Sequence, residues 1–241
     1  MLLTEADRKP LKSYKMKKII MKSSLTFLLL FLISAALVAG KPFEGVITYK
    51  ISYPDSKFTE AQLNMFPKVM TVSIKGSKAL TEMNTGAGNQ IVILDYVSKT
   101  KVALINMMGQ KYAIKQTAQD IEKENAGQPK GTVNVTNETK NIAGYTCKKA
   151  IVTSDEDGVK STFEVWFTDE LGGKDANFDD PLYKDINGVM LEFIIKNPQF
   201  SMKLSTTSVE KKAVSAKDFE IPADYTLTTK EELKSKFGGG E

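Results

Sequence analysis

The sequence predicts a mainly β fold: a single antiparallel curved sheet, or an unclosed barrel, carrying a few short helices. Three observations lead there. Apolar residues recur with period two in stretches such as "GVITYKISY" and "STFEVWFT", and that period sends alternate side chains to opposite faces of a strand. Turn chemistry at Gly76-Ser77, Gly109 and Asp157-Gly158 separates such stretches. Helical patterns are short and are bounded by proline or glycine.

Taken in order, "GVITYKISY" turns Ile47, Tyr49, Ile51 and Tyr53 one way and Val46, Thr48, Lys50 and Ser52 the other. A short helix follows from about Phe58 to Phe66, and Pro67 stops it. "VMTVSIKGSKALTEM" is a hairpin turning at Gly76-Ser77, and "NTGAGN" is a glycine-rich turn. "QIVILDY" and "KVALIN" are apolar on both faces. A sheet open to water on one side shows polar residues there, so helices, a second layer or a ligand must cover both faces of these two strands. "QKYAIKQ" closes the meander.

"TAQDIEKENAGQPKG" is a helix and then a loop with Gly127, Pro129 and Gly131 as breakers, inserted within one domain spanning residues 41–241. The later strands are "TVNVTNETK", "YTCKKAIVTS", "KSTFEVWFT", "VMLEFIIK" and "FSMKLSTTSVEKKAV", with an irregular stretch from Asp169 to Gly188. The tail "TKEELKSKFGGGE" has Thr229 and Glu232 at capping-box spacing and a glycine stop after Phe237.

With 41% hydrophobic and 26% charged residues, the 241-residue chain can build a core. Its net charge of +4 is concentrated in residues 1–40, which hold seven basic and two acidic groups. The remaining 26 basic and 27 acidic side chains give no counterion-release drive toward nucleic acid. "MKKIIMKSS" followed by "LTFLLLFLISAALVA" is the pattern of a cleavable secretory signal over residues 1–40, with cleavage near Ala39 or Gly40 and Met16 as the start. The apolar run is shorter than the ~20 residues of a spanning helix, although an uncleaved anchor is the alternative. The expected product is periplasmic or secreted, with no transmembrane anchor after cleavage.

No histidine occurs anywhere, which removes Ser-His-Asp and Cys-His machinery and histidine-based zinc sites. There is no CxxC pair and no phosphate-cradling glycine motif before a helix. No catalytic residue, metal or cofactor is expected. Cys147, the single cysteine, is either a buried small hydrophobe or a bridge to another molecule. Strand alternation places it with Tyr145 and Ile151.

The carboxylates Glu164, Glu192, Asp179 and Asp180 are candidates for an acid pair. The Asp175–Asp185 loop is either an ordinary acidic loop or a weak calcium site. In "SDEDG", Gly158 falls too early for a twelve-residue calcium loop. Trp166 shares a strand face with Glu164, opposite Phe163, Val165 and Phe167. That face is either an aromatic cover over a neighbouring strand or a ligand-contacting wall of a concave sheet. Trp166, Glu164, Tyr145 and Met190 are the candidate ligand-binding residues.

"IAGYTCKKA", "FEVWFTDEL" and "DPLYKDINGVMLEF" resemble an exported family of unknown function from Gram-negative bacteria, related in pattern to the GLPGLI proteins. Gly144, Tyr145, Cys147 and Ala150 match a Gly-Tyr-x-Cys-x-x-Ala strand, and Trp166, Phe167 and Thr168 match an aromatic-Thr strand end. The third motif is reduced to Pro181-Leu182 and Asn187–Leu191. The order of elements is also similar to the periplasmic lipoprotein carriers of the LolA and LolB type, which implies an unclosed barrel around an apolar cavity. The leading expectation is thus a non-enzymatic periplasmic protein holding a lipid or other hydrophobic ligand. An exported interaction protein with a fully packed core is the alternative, and a carboxylate-based hydrolase comes third.

Overall fold

Strand β1 (Glu44–Ser52) buries Ile47, Tyr49 and Ile51 on one face, as its period-two pattern predicts. It sits in the middle of a twelve-stranded sheet. The computed structural model describes residues 42–237, apart from residues 55, 86–87, 108, 157, 174 and 197–199. The signal segment, its cleavage point and the Met16 start lie outside the described residues, as does the glycine tail.

The first meander continues with β2 (Val69–Lys75), β3 (Lys78–Thr85), β4 (Gly88–Asp95), β5 (Thr100–Met107) and β6 (Gln110–Gln116). The second is β7 (Gly131–Ile142), β8 (Tyr145–Glu156), β9 (Val159–Thr168), β10 (Val189–Lys196) and β11 (Ser201–Lys211). Antiparallel pairing of β1 with β11 joins the two, and β12 (Thr226–Thr228) adds parallel to β6. The order is β12-β6-β5-β4-β3-β2-β1-β11-β10-β9-β8-β7, so the sheet is open, with β12 and β7 at its edges. Helices α1 (Glu60–Leu63), α2 (Ala118–Asn125) and α3 (Lys230–Phe237) are short, and Ala216–Phe219 is a 3-10 turn.

The inner face carries the large core. Ile47 and Tyr49 of β1, Val152 of β8, Phe163 and Val165 of β9 and Leu204 of β11 meet there. The irregular segment between β9 and β10 adds Leu171, Tyr183 and Ile186, all 1% exposed. Hydrogen bonds lock that segment down. Asn177 Nδ2 donates to the carbonyls of Ile186 (2.8 Å) and Gly188 (3.0 Å), and the Tyr183 hydroxyl donates to Ile194 O. Gly131 N donates to Pro181 O at 3.1 Å.

On the outer face of β3–β6, Leu80, Ile93, Val102, Leu104 and Ala113 are covered by Val214 and Phe219, with Ile221 and Tyr225 beside them. α3 packs Leu233 on Tyr112 and Ile114 of β6. The two strands that are apolar on both faces are therefore covered on the outside by residues 214–225.

Three elements differ from the sequence reading. α1 is four residues long, capped by Thr59 and Gln62, because Phe58 and Phe66 leave the helix to stack with Tyr53 and Phe200 at ring distances of 5.1–6.0 Å. β11 ends at Lys211, which frees Val214 for the outer cluster. β12 was not expected, since three residues are too few to show a period.

Cys147 is fully buried. It pairs across to Lys140 and shares its strand face with Tyr145, Lys149 and Ile151, as alternation predicts. Burial pushes its thiol up to about 11 from an ordinary 9.0.

Two predictions follow from this packing. A Cβ on Gly131 would lie 1.9 Å from Leu182 O, so Gly131→Ala should cost on the order of 1–3 kcal/mol in urea unfolding; an unchanged midpoint would mean the 179–183 segment is not docked there. For Cys147, the unfolded thiol ionises before the folded one, so stability is lost as pH rises from about 9 toward 11. Cys147→Ala should remove that component while destabilising the fold only mildly. Rapid labelling of the native thiol by a bulky reagent at pH 8 would contradict the burial.

Candidate functional site

Of the four residues singled out as a ligand wall, Tyr145, Glu164 and Trp166 share one face of the sheet and Met190 lies on the other. Met190 pairs with Phe167 and is buried in the large core, where its carbonyl accepts from the Tyr49 hydroxyl at 2.9 Å. Glu164, Trp166 and Tyr145 belong to the opposite face by alternation. Trp166 is half-buried beneath two ammonium groups, Lys140 at 4.3 Å and Lys149 at 5.8 Å from the ring centre. Lys149 bridges Glu138 (3.3 Å) and Glu164 (3.2 Å), and Glu192 takes Lys140 (3.0 Å) and Lys203 (3.4 Å). Desolvation works to raise the Glu192 carboxyl, but Lys140 and Lys203 outweigh it and hold the group below the usual carboxylate range. A general acid needs the reverse. In this lattice lysine stems are laid over Trp166.

The site with the shape of a ligand seat lies instead between β4 and β5. One row of side chains crosses the inner face as Ile47, Val72, Thr81, Val92, Ala103 and Ile114. Its ends are buried, whereas Val72, Thr81, Val92 and Ala103 are only half-buried. The β4–β5 ladder runs from Asp95↔Thr100 to Ile91↔Leu104 and stops, although β4 extends back to Gly88 and β5 onward to Met107. Past that point β4 stays paired with β3 and β5 with β6. The sheet parts there, leaving a hollow of about 390 Å³ lined by residues 88–92 and 103–106. Ile91, Val92, Ala103, Leu104 and Ile105 make its walls, and the amides Asn89, Gln90 and Asn106 stand at its mouth.

This opening was not visible in the sequence, because a strand pattern is the same whether or not its ladder is complete. The signal present was the pair of doubly apolar strands, each giving way to side-chain amides at the same end of the sheet.

A second concavity, of about 640 Å³, lies where the ends of β8–β10 meet the 125–129 and 179–183 segments. It is lined by polar groups. Lys101 of β5 pairs with Asp179 at 2.8 Å, and Asn125 Nδ2 donates to Asp179 O at 3.1 Å. Lys196 lies 4.7 Å above the Phe163 ring and donates to Ser161 Oγ at 3.4 Å. Asp180 accepts from Leu182 N at 2.9 Å. Burial raises its carboxyl above the ordinary value, and Asp179 adds to the effect. Ser154, 7% exposed, also faces this space.

Among the described residues no group of three or more acidic or sulfur side chains is placed to hold a metal ion, and no helix is long and apolar enough to cross a membrane.

Comparison with known proteins gives one family. The model for the N-glycanase peptide, N-terminal domain, matches residues 47–221, which run from β1 through the segment covering the outer cluster. No curated protein matches. A crystal structure of a β-barrel-like protein of a domain of unknown function, DUF1849, from Brucella abortus is similar at a TM-score of 0.35 and 8% identity, over 71% of this chain and 99% of that one. Neither comparison bears specifically on the motif likeness to GLPGLI proteins or on the architectural likeness to lipoprotein carriers. With the family match spanning most of the twelve-stranded sheet, the chain belongs to the N-glycanase N-terminal domain family.

Proposed function

We propose that this chain is a non-enzymatic binding protein, acting in the periplasm or outside the cell, that holds an apolar ligand in the opening between β4 and β5. The observation that carries the reading is the parting of the ladder beyond Ile91↔Leu104, within the two strands that are apolar on both faces. An apolar chain entering there gains roughly 25 cal/mol for each Å² removed from water. A hollow of about 390 Å³ lies within the usual range for small-molecule sites. The family description names a domain by its position in an N-glycanase, which accords with an accessory role.

The absence of histidine from the sequence also supports a non-enzymatic role. Glu164 and Glu192 are engaged by lysines. Asp180 is the acid closest to a general acid's condition, but its neighbour Asp179 is tied to Lys101.

The test uses an apolar fluorescent probe, N-phenyl-1-naphthylamine, with the wild type and with Ala103→Phe, which fills the hollow. Wild type should bind the probe, and the variant should bind at least about tenfold more weakly, which is a loss of ~1.4 kcal/mol. Equal binding by both would place the probe elsewhere and remove the reading. No binding by either would favour an interaction protein with a packed core.

A separate outcome concerns Asp180. Its raised folded-state value means that ionisation costs stability as pH rises through that value. Asp180→Asn should therefore be more stable than wild type at pH 7, with the margin shrinking as pH falls from the raised value to the ordinary carboxylate range, below which it is gone. A margin independent of pH, followed by thermal melts across that range, would show that Asp180 is not held as described.

A further inference from the structure

Lys101, Ala103 and Ile105 alternate with Val102 and Leu104 along β5 and so share its inner face. Lys101 lines the polar cleft, while Ala103 and Ile105 line the apolar hollow. At about 3.4 Å per residue, the two sites begin roughly 7 Å apart on one strand. That spacing is well within the reach of a single amphiphile.

The cleft is built for a head that is polar but not anionic. Lys101 is already neutralised by Asp179. Lys196 is the second cation, and the carboxylates of Asp180 and Glu156 also face the space. A phosphate or sulfate entering there would meet these acids at close quarters. Hydroxyl groups would suit the mixture, since each can donate to a carboxylate and accept from an ammonium. Ser154 points the same way: its hydroxyl-bearing side chain, 7% exposed, lines this space.

The cleft is also held in advance of any ligand. Asn125 grips the Asp179 carbonyl, Gly131 grips that of Pro181, and Asp180 fixes Leu182 N. A preformed polar site loses little freedom on binding.

We infer that the ligand of this protein is an amphiphile with a neutral, hydroxyl-rich head. The head is held in the cleft by Ser154, Asp180 and Lys196, and the chain runs along Ala103 and Ile105 into the opening between β4 and β5. The inference rests on the apolar-ligand reading of that opening.

The experiment is isothermal titration, below the critical micelle concentration, with decyl maltoside, decanol and decyl sulfate. Decyl maltoside should bind about tenfold or more tightly than decanol. Combining Ser154→Ala with Lys196→Met should erase that margin while leaving decanol binding intact. Decanol binding as tight as decyl maltoside would overturn the head site and leave the apolar reading standing. Tighter binding of decyl sulfate would overturn it as well, by showing an anionic head. Binding of none of the three would overturn both readings. Thermal melts of the double variant guard against loss of fold, and Ser154→Ala alone, the smaller change, should lose part of the same margin.

Discussion

The antiparallel pairing of β1 with β11 is the contact on which the architecture depends. It joins residues some 160 positions apart, such as Ile47 with Val209 and Ile51 with Leu204, and fuses two meanders into one sheet. Loop-closure entropy opposes such a pairing, and apolar burial on the inner face offsets it. Ile47 and Leu204, both fully buried, sit on either side of the seam. Because the seam forms in the middle, the sheet's two ends remain free, and each has to be made safe. β12 is only three residues long and leads directly into α3. β7 is twelve residues long, but its register slips between Val135 and Thr139, and it carries Glu138 and Lys140. Bulges and charges of this kind discourage edge-to-edge pairing.

An open sheet with apolar residues on both faces also needs two sets of covers, and chain order supplies them economically. The segment between β9 and β10 fills the inner face, and the segment after β11 fills the outer one. The inner cover depends on directed bonds as much as on apolar contact. Asn177 is nearly buried and spends its amide on two carbonyls that close the segment on itself. Removing that amide would strand buried acceptors, which costs more than a typical hydrogen bond contributes. The same segment presents Asp179 and Asp180 to the polar cleft, so the rigidity of the cover becomes the rigidity of the site.

Much of this was legible in the residues. Period-two patterning gave the strands their places, and Ile47, Tyr49, Phe163, Val165 and Phe167 all point into the core as alternation requires. The doubly apolar β4 and β5 implied covers on both faces, and residues 214–225 provide one of them. Cys147 is buried on the alternation face assigned to it. What periodicity does not encode is which partner a strand keeps along its whole length. The parting of β4 from β5 depends on how far each ladder extends, a tertiary property. Trp166 was ambiguous for a related reason. Its face was predictable, but Lys140 comes from β7 and Glu192 from β10, and only pairing brings them to the ring. Tyr53 shows the limit of alternation at a strand end, where its ring is only half-buried against the edge of the main core and meets Phe66 and Phe200.

The parting of β4 and β5 has a physical consequence beyond its volume. Within a sheet, a strand's backbone groups are normally satisfied on both sides. Here Asn89 and Gln90 of β4 keep their ladder partners on β3, and Ile105 and Asn106 of β5 keep theirs on β6, with no ladder pair between the two strands at these four residues. Water can satisfy the open edges at the mouth, where Asn89, Gln90 and Asn106 are exposed. Deeper in, the walls are Ile91, Val92, Leu104 and Ile105, and water gains little from them. The opening thus has a wet rim and a dry throat, and an apolar surface would gain most in the throat. The lysine at residue 101 and the half-buried alanine at residue 103 put the same polarity change on one strand. The unfinished ladder and the polar cleft thus lie side by side on the inner face of β5, one apolar and the other polar.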